Sequence, residues 1–127
     1  MGWCFLDETD AYVEDVLRSF VDHYAIVPQI WPVEVASALV TGQRRNRLQP
    51  ADRLRFIRIL QSLKIEVVHV DRQRIFETVV DAAMANNLSA YDACYLELAM
   101  REGVALATLD SKLRTVARNL GVREFHV

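Results

Sequence analysis

The sequence predicts an α/β fold in three α/β/α layers, with a mainly parallel central sheet flanked by helices. Three observations predict it. Apolar runs of strand length occur at Ala25–Val27, Ile65–Val68 and Val104–Ala107. Between them lie apolar stripes at helical spacing, ten residues or more in extent, and this alternation is the signature of a parallel sheet covered on both faces. The chain has 127 residues, 52% of them hydrophobic, which suits one domain with a sizeable core.

The elements follow in order. Val13, Val16, Leu17, Phe20, Val21 and Tyr24 recur at helical spacing after Thr9 and Asp10, so a first helix is expected over about residues 10–23. A strand at Ala25–Val27 is expected to stop at Pro28. Pro32 suits the first turn of a second helix carrying Val33, Val35, Ala36, Leu39 and Val40 and ending near Gly42. Gln49-Pro50 starts a third helix with a narrow stripe of Leu54, Ile57, Leu60 and Leu63, and Ile65–Val68 is the next strand. Asp71 is placed to cap a helix with Ile75, Val79, Ala82 and Ala83 inward and Asn86-Asn87 at its end. Ser89 caps the following helix, Ser89 to Asp92 being close to a capping box; its stripe is Ala93, Leu96 and Met100, and Gly103 breaks it. Val104–Ala107 is a buried strand, Ser111–Leu120 a final helix, and Arg123–Val127 a terminal strand. No repeat, linker or low-complexity segment is present.

Composition excludes several classes. No apolar run reaches the roughly 20 residues of a membrane span, and Met1–Asp10 lacks the features of a secretion signal, so a cytoplasmic protein without a membrane partner is expected. Cys4 and Cys94 are too few for a disulfide framework and lack zinc-site spacing; both read as buried reduced thiols. His23, His69 and His126 are scattered and read as structural or surface residues. The net charge of −2, from 15 basic and 17 acidic residues, does not suit a nucleic-acid coating protein. Its distribution is uneven, since Arg44, Arg45, Arg47, Arg53, Arg55 and Arg58 crowd one segment with only Asp52 to oppose them. The segment reads either as a solvated helical hairpin or as a local patch that contacts phosphate or a partner.

Three acids fall where chemistry is expected. Glu34 and Asp92 each lie in the first turn of a helix, and Asp110 ends a strand, so all three are expected at the carboxyl edge of the sheet, where parallel sheets bind ligands. Converging carboxylates repel one another unless a cation neutralises them. Mg²⁺ or Mn²⁺ is the natural cation, a hard ion that prefers carboxylate, water and phosphate oxygens and supports hydrolysis of a phosphodiester. Taken singly, each acid is explained as well by capping or by the helix dipole. Glu97, one turn and a residue beyond Asp92, reads as an exposed helical position, with a place facing the same pocket as the alternative. Ser89, Thr108 and Ser111 are candidates for positioning water or metal, with local capping the simpler account of both serines. Trp3, Trp31, Tyr91 and Tyr95 read as core or interface residues.

Three blocks carry a resemblance: Trp31-Pro32-Val33-Glu34-Val35-Ala36-Ser37-Ala38-Leu39, Leu88-Ser89-Ala90-Tyr91-Asp92-Ala93-Cys94-Tyr95-Leu96-Glu97-Leu98-Ala99, and Leu106-Ala107-Thr108-Leu109-Asp110. Their residues, order and spacing resemble PIN-domain ribonucleases, specifically the VapC-type toxins of bacterial toxin-antitoxin pairs, over essentially the whole chain. The resemblance implies a single PIN-like domain and a Mg²⁺-dependent endoribonuclease, a hydrolase of RNA phosphodiester bonds. It also implies a cognate antitoxin that holds the enzyme inactive, and a homodimer. Matched by motif, Glu34, Asp92 and Asp110 would be the catalytic, metal-binding acids, with Ser89 and Thr108 as supporting residues. On the same resemblance, the arginines from Arg44 to Arg58 would contact RNA phosphate or the antitoxin.

One departure stands out. The family pattern opens with a central strand of the type Val-Asp-x-Ser, whose Asp is a further metal ligand, followed by a segment like Trp3-Cys4-Phe5-Leu6-Asp7-Glu8. The sequence begins within that following segment, so the domain is expected to be N-terminally incomplete. Either the start is misassigned or the chain shortened, which is the preferred account, or this is a truncated, catalytically impaired module that binds antitoxin or RNA without turnover. A phosphoacceptor receiver domain suits the size and the α/β pattern, but its acidic pair is not visible.

Overall fold

Strand β1 (Ala25–Pro28) and strand β2 (Ile65–Val68) pair in parallel, with Ala25 opposite Ile65 and Pro28 opposite Val68. This pairing belongs to a computed structural model that describes residue 18 and residues 24–125. Pro28, expected to stop the strand, is instead its last paired residue, an end position where a missing N–H costs little. Beyond the ladder, the Val70 N–H donates to Gln29 Oε1 at 2.9 Å and ties the two carboxyl ends together.

Parallel neighbours need a long crossover. Here it is a helical hairpin, α1 (Trp31–Arg44) and α2 (Pro50–Ser62). Pro32 occupies the first turn of α1, where its absent N–H has no partner to lose. Trp31, Val35, Leu39 and Gly42 form the buried face, whereas Val33 and Val40 are 70% and 45% exposed and Ala36 also faces outward. The helix runs past Gly42 because Asn46 (φ 58°), not the glycine, takes the left-handed turn. Gly42 is buried within the helix, and a Cβ there would meet Leu48 Cβ at 3.5 Å, an ordinary contact distance. On α2 the buried residues are Phe56 and Leu60, with Ile57 and Leu63 partly covered, while Leu54 is 52% exposed. The sequence stripe was therefore off by the one residue that matters most, Phe56.

After β2, Asp71 caps α3 (Arg72–Arg74) by accepting the Arg74 N–H at 2.8 Å. The helix continues through a π-helical turn, Ile75–Val79, into α4 (Val80–Asn86) and stops where Asn87 (φ 52°) turns left-handed. The inward residues Ile75, Val79 and Ala83 are spaced by four. In an α-helix a four-residue step overshoots a full turn by about 40°. The wider i→i+5 turn undershoots, so the two steps compensate and the stripe stays aligned.

Helix α5 (Ala90–Glu102) is central. Its Leu96 and Ala99 pack with Leu106, Leu113 and Ala117, its Ala93 and Cys94 pack with Val79 and Ala83, and its Tyr95 touches the clusters on both the α1 side and the α6 side. Met100, placed inward from the sequence, is 51% exposed; Ala99 takes that position. Gly103 (φ 65°) ends the helix in the left-handed region that favours glycine. The expected strands at Val104–Ala107 and Arg123–Val127 reduce, among the described residues, to one parallel bridge between Leu106 and Glu124. The Leu106 N–H donates to Arg123 O at 2.8 Å and the Phe125 N–H to Leu106 O at 2.9 Å. Helix α6 (Ser111–Asn119) lies between these two segments in sequence.

The fold is thus a helix-rich α/β domain with a parallel strand pair. The broad parallel sheet expected from the sequence is represented, among the described residues, by the β1–β2 ladder and the separate Leu106–Glu124 bridge. Of the expected first helix, Arg18 is helical and the rest lies outside the described residues; Tyr24, read as its last apolar position, is 70% exposed and in no helix. Cys4, Trp3, His23 and His126 also lie outside the described residues. No described helix is long and apolar enough to cross a membrane.

Candidate active site

Glu34 sits in the first turn of α1, directly after the carboxyl end of β1. Its Oε1 accepts a short hydrogen bond from the Tyr95 hydroxyl, which brings the first turn of α1 beside the second turn of α5. Asp92 lies in the first turn of α5, one helical turn before Tyr95. Asp92 is half-buried, and its carboxylate takes no hydrogen bond or ion pair among the described residues; its backbone N–H donates to Ser89 Oγ at 3.1 Å. Ser89 is therefore occupied as the cap of α5.

Asp110 is the N-cap of α6, its Oδ1 accepting the Leu113 N–H at 2.8 Å. Thr108 folds back on it, the hydroxyl accepting the Asp110 N–H at 3.1 Å, and Thr108 O accepts a hydrogen bond from Arg114 Nη2. Ser111 opens α6, and its carbonyl accepts the Thr115 hydroxyl at 2.9 Å.

Two features were not anticipated. Glu97, read as an exposed helical position, is 7% exposed, and its Oε1 accepts from Arg74 Nη1 at 3.0 Å and from Arg101 Nε at 2.9 Å. The signal for it was local: Leu96 and Leu98 flank it, and Arg101 stands four residues on. With Arg101, Glu97 borders a cleft at the carboxyl ends of the strands, lined also by Gln29, Val70 and Cys94. The second feature is Tyr95, read as core or interface; its three-residue separation from Asp92 puts both on one face of α5. Burial raises the Cys94 thiol pKa, and the nearby Glu97 and Glu34 carboxylates push it further the same way.

Among the described residues no group of three or more His, Cys, Asp or Glu side chains is placed to hold a metal ion together. The donor chemistry still suits one kind of cation. Glu34 and Asp110 each commit one carboxylate oxygen to the bonds above, and Asp92 commits none, so every acid keeps an oxygen to offer. Mg²⁺ is commonly held by one or two carboxylates, with water and substrate phosphate completing its shell.

The arginine cluster spans the end of α1, the turn and α2. Arg44, Arg45, Arg47, Arg55 and Arg58 are exposed and Arg53 is half-buried. Among the described residues Arg55 alone of the six is ion-paired, to Asp52.

The model of the PIN domain family matches residues 3–119. The chain belongs to the PIN-domain family. No curated protein matches it. PIN domains are typically nucleases, acting on nucleic acid and generally using divalent metals. Glu34, Asp92 and Asp110 all fall within the matched residues of this PIN domain, as does the arginine cluster.

Proposed function

We propose that this PIN domain is a Mg²⁺-dependent endoribonuclease of the VapC type, the toxin of a type II toxin-antitoxin pair, hydrolysing RNA phosphodiester bonds. The observation that carries the reading furthest is the Tyr95–Glu34 hydrogen bond, which brings one candidate acid against the helix that bears another within a chain of nuclease family. The reading takes Glu34, Asp92 and Asp110 as the acids that hold the cation. A bound divalent ion would supply an activated water and charge stabilisation for the leaving oxygen.

The chain's own groups have separate tasks. Asp92, half-buried and without a side-chain partner, is the carboxylate most in need of a counter-charge. Asp110 divides its two oxygens between capping α6 and the cation. The exposed arginines of the α1–α2 turn and α2 provide sequence-independent contacts to RNA phosphate or to an acidic surface of the antitoxin. With this reading go a cognate antitoxin, a homodimer and a cytoplasmic site of action, and Ser89 and Thr108 as residues that hold the acids in place.

The test is cleavage of a panel of RNAs by the purified chain with Mg²⁺, Mn²⁺ or chelator. Metal-dependent cleavage by wild type, lost in Asp92→Asn at unchanged thermal stability, is expected. Binding of RNA with no cleavage under any metal would instead favour the second reading, a module that engages RNA or antitoxin without turnover. That reading draws on the absence, among the described residues, of a ready-made group of three metal-binding side chains.

A further inference from the structure

We infer that Tyr95 is a positioning residue for Glu34, its hydroxyl fixing one carboxylate oxygen so that the other is held ready for a divalent cation. The inference rests on the metal-dependent reading above and adds to it a residue with a defined task. Tyr95 and Glu34 are 61 positions apart in sequence, and their hydrogen bond is part-buried. The ring of Tyr95 packs against both the cluster of Val27, Trp31 and Val35 and the cluster of Leu96, Leu106 and Leu113, so the hydroxyl is mounted on a base held from two sides. A glutamate side chain has many rotamers and gains a fixed direction only when something holds its carboxylate. Here the holder lies one turn along α5 from Asp92, so Glu34 is referenced to the same helix as its neighbour acid. Partners of this kind, which touch a ligand-bearing carboxylate and not the ion, orient metal ligands and tune affinity.

The experiment is a Mn²⁺ titration of the full chain, followed by the loss of the free-ion paramagnetic resonance signal, for wild type, Tyr95→Phe, Glu34→Gln and the Phe/Gln double variant. Tyr95→Phe keeps the ring and removes the hydroxyl; Mn²⁺ affinity is expected to fall roughly 10- to 100-fold with the thermal midpoint little changed. Tyr95→Phe should add nothing once Glu34 is Gln. Wild-type affinity in Tyr95→Phe, or a loss that persists undiminished in the Glu34→Gln background, would overturn the inference while leaving the metal reading intact. A Phe variant that fails to fold would overturn it as well, because the hydroxyl would then serve the fold itself. Wild type that binds no Mn²⁺ would remove the metal reading, and the inference with it.

Discussion

Arg74 Nη1 lies 3.0 Å from Glu97 Oε1, joining the first turn of the helix after β2 to the middle of α5, and Arg101 Nε shares the same oxygen at 2.9 Å. Two cations on one buried carboxylate make the acid the costly member to lose. Glu97→Ala is expected to lower stability by about 2 kcal/mol, since two charge-assisted hydrogen bonds go at once, although Arg101 keeps Glu102 and Arg74 can turn towards water. Arg74→Ala should cost less than about 1 kcal/mol, because Arg101 still satisfies Glu97. Urea unfolding of the two variants tests the order; an equal loss in both would contradict it.

Cys94 makes an alkaline prediction. Its pKa is raised by burial and by Glu97 and Glu34, so on raising the pH the unfolded chain loses the thiol proton before the folded one does. Stability contributed by this group is full below the unfolded thiol's range, about 8.5, and falls as pH climbs from there through the higher folded value. The melting temperature of wild type should therefore drop more steeply between pH 8 and pH 10 than that of Cys94→Ala. The same burial predicts that iodoacetamide modifies the native thiol far more slowly than an unfolded control.

Asp110 allows capping to be separated from charge. Asparagine is as good a helix cap as aspartate, so Asp110→Asn should unfold within about 0.5 kcal/mol of wild type, whereas Asp110→Ala should lose about 1 kcal/mol. Under the proposed function both variants lose RNA cleavage. Cleavage retained by Asp110→Asn would leave this residue with a cap's role alone.

The arginine cluster gives a salt-dependent prediction. If Arg45, Arg47 and Arg58 each meet a phosphate of single-stranded RNA, replacing all three with Gln should flatten the slope of log affinity against log salt by about 2. Fluorescence anisotropy at several salt concentrations measures this directly. An unchanged slope would assign these arginines to solvent or to a protein partner.

Much of the architecture was legible because it is written in local chemistry. Asp71, Ser89 and Asn87 stop and start helices by hydrogen bonds or backbone conformation that depend on nearby residues alone, and all three act as their positions suggest. What depended on long-range partners was not legible. Glu97 had one local sign, Arg101 four residues on, but its second partner, Arg74, lies 23 residues earlier and is announced by nothing nearby. The stripe on α2 was misplaced because Leu54 and Phe56 are equally apolar, and only contact with Val35 and Leu39 decides between them. The segments around Leu106 and Glu124 did suggest strands, yet a strand needs neighbours, and among the described residues the two make a single bridge. At the site, the motifs picked out three acids. The Tyr95 hydroxyl that holds one of them was invisible until α1 and α5 were brought together.

The π-helical turn at Ile75–Val79 also sets the counting of everything downstream. Its one additional residue is accommodated by widening, so the helix keeps its axis while the residue number advances. Deleting a single residue there would let an ordinary α-helix close and leave Val80–Asn86 facing nearly the same way, because five residues of the wide turn sweep about the same angle as four of an α-helix. A second added residue would find no wide turn to absorb it and would swing Ala83 off Ala93 and Cys94 by about 100°. The segment is consequently able to lose one residue more easily than to gain one, a direction of tolerance that its composition does not show.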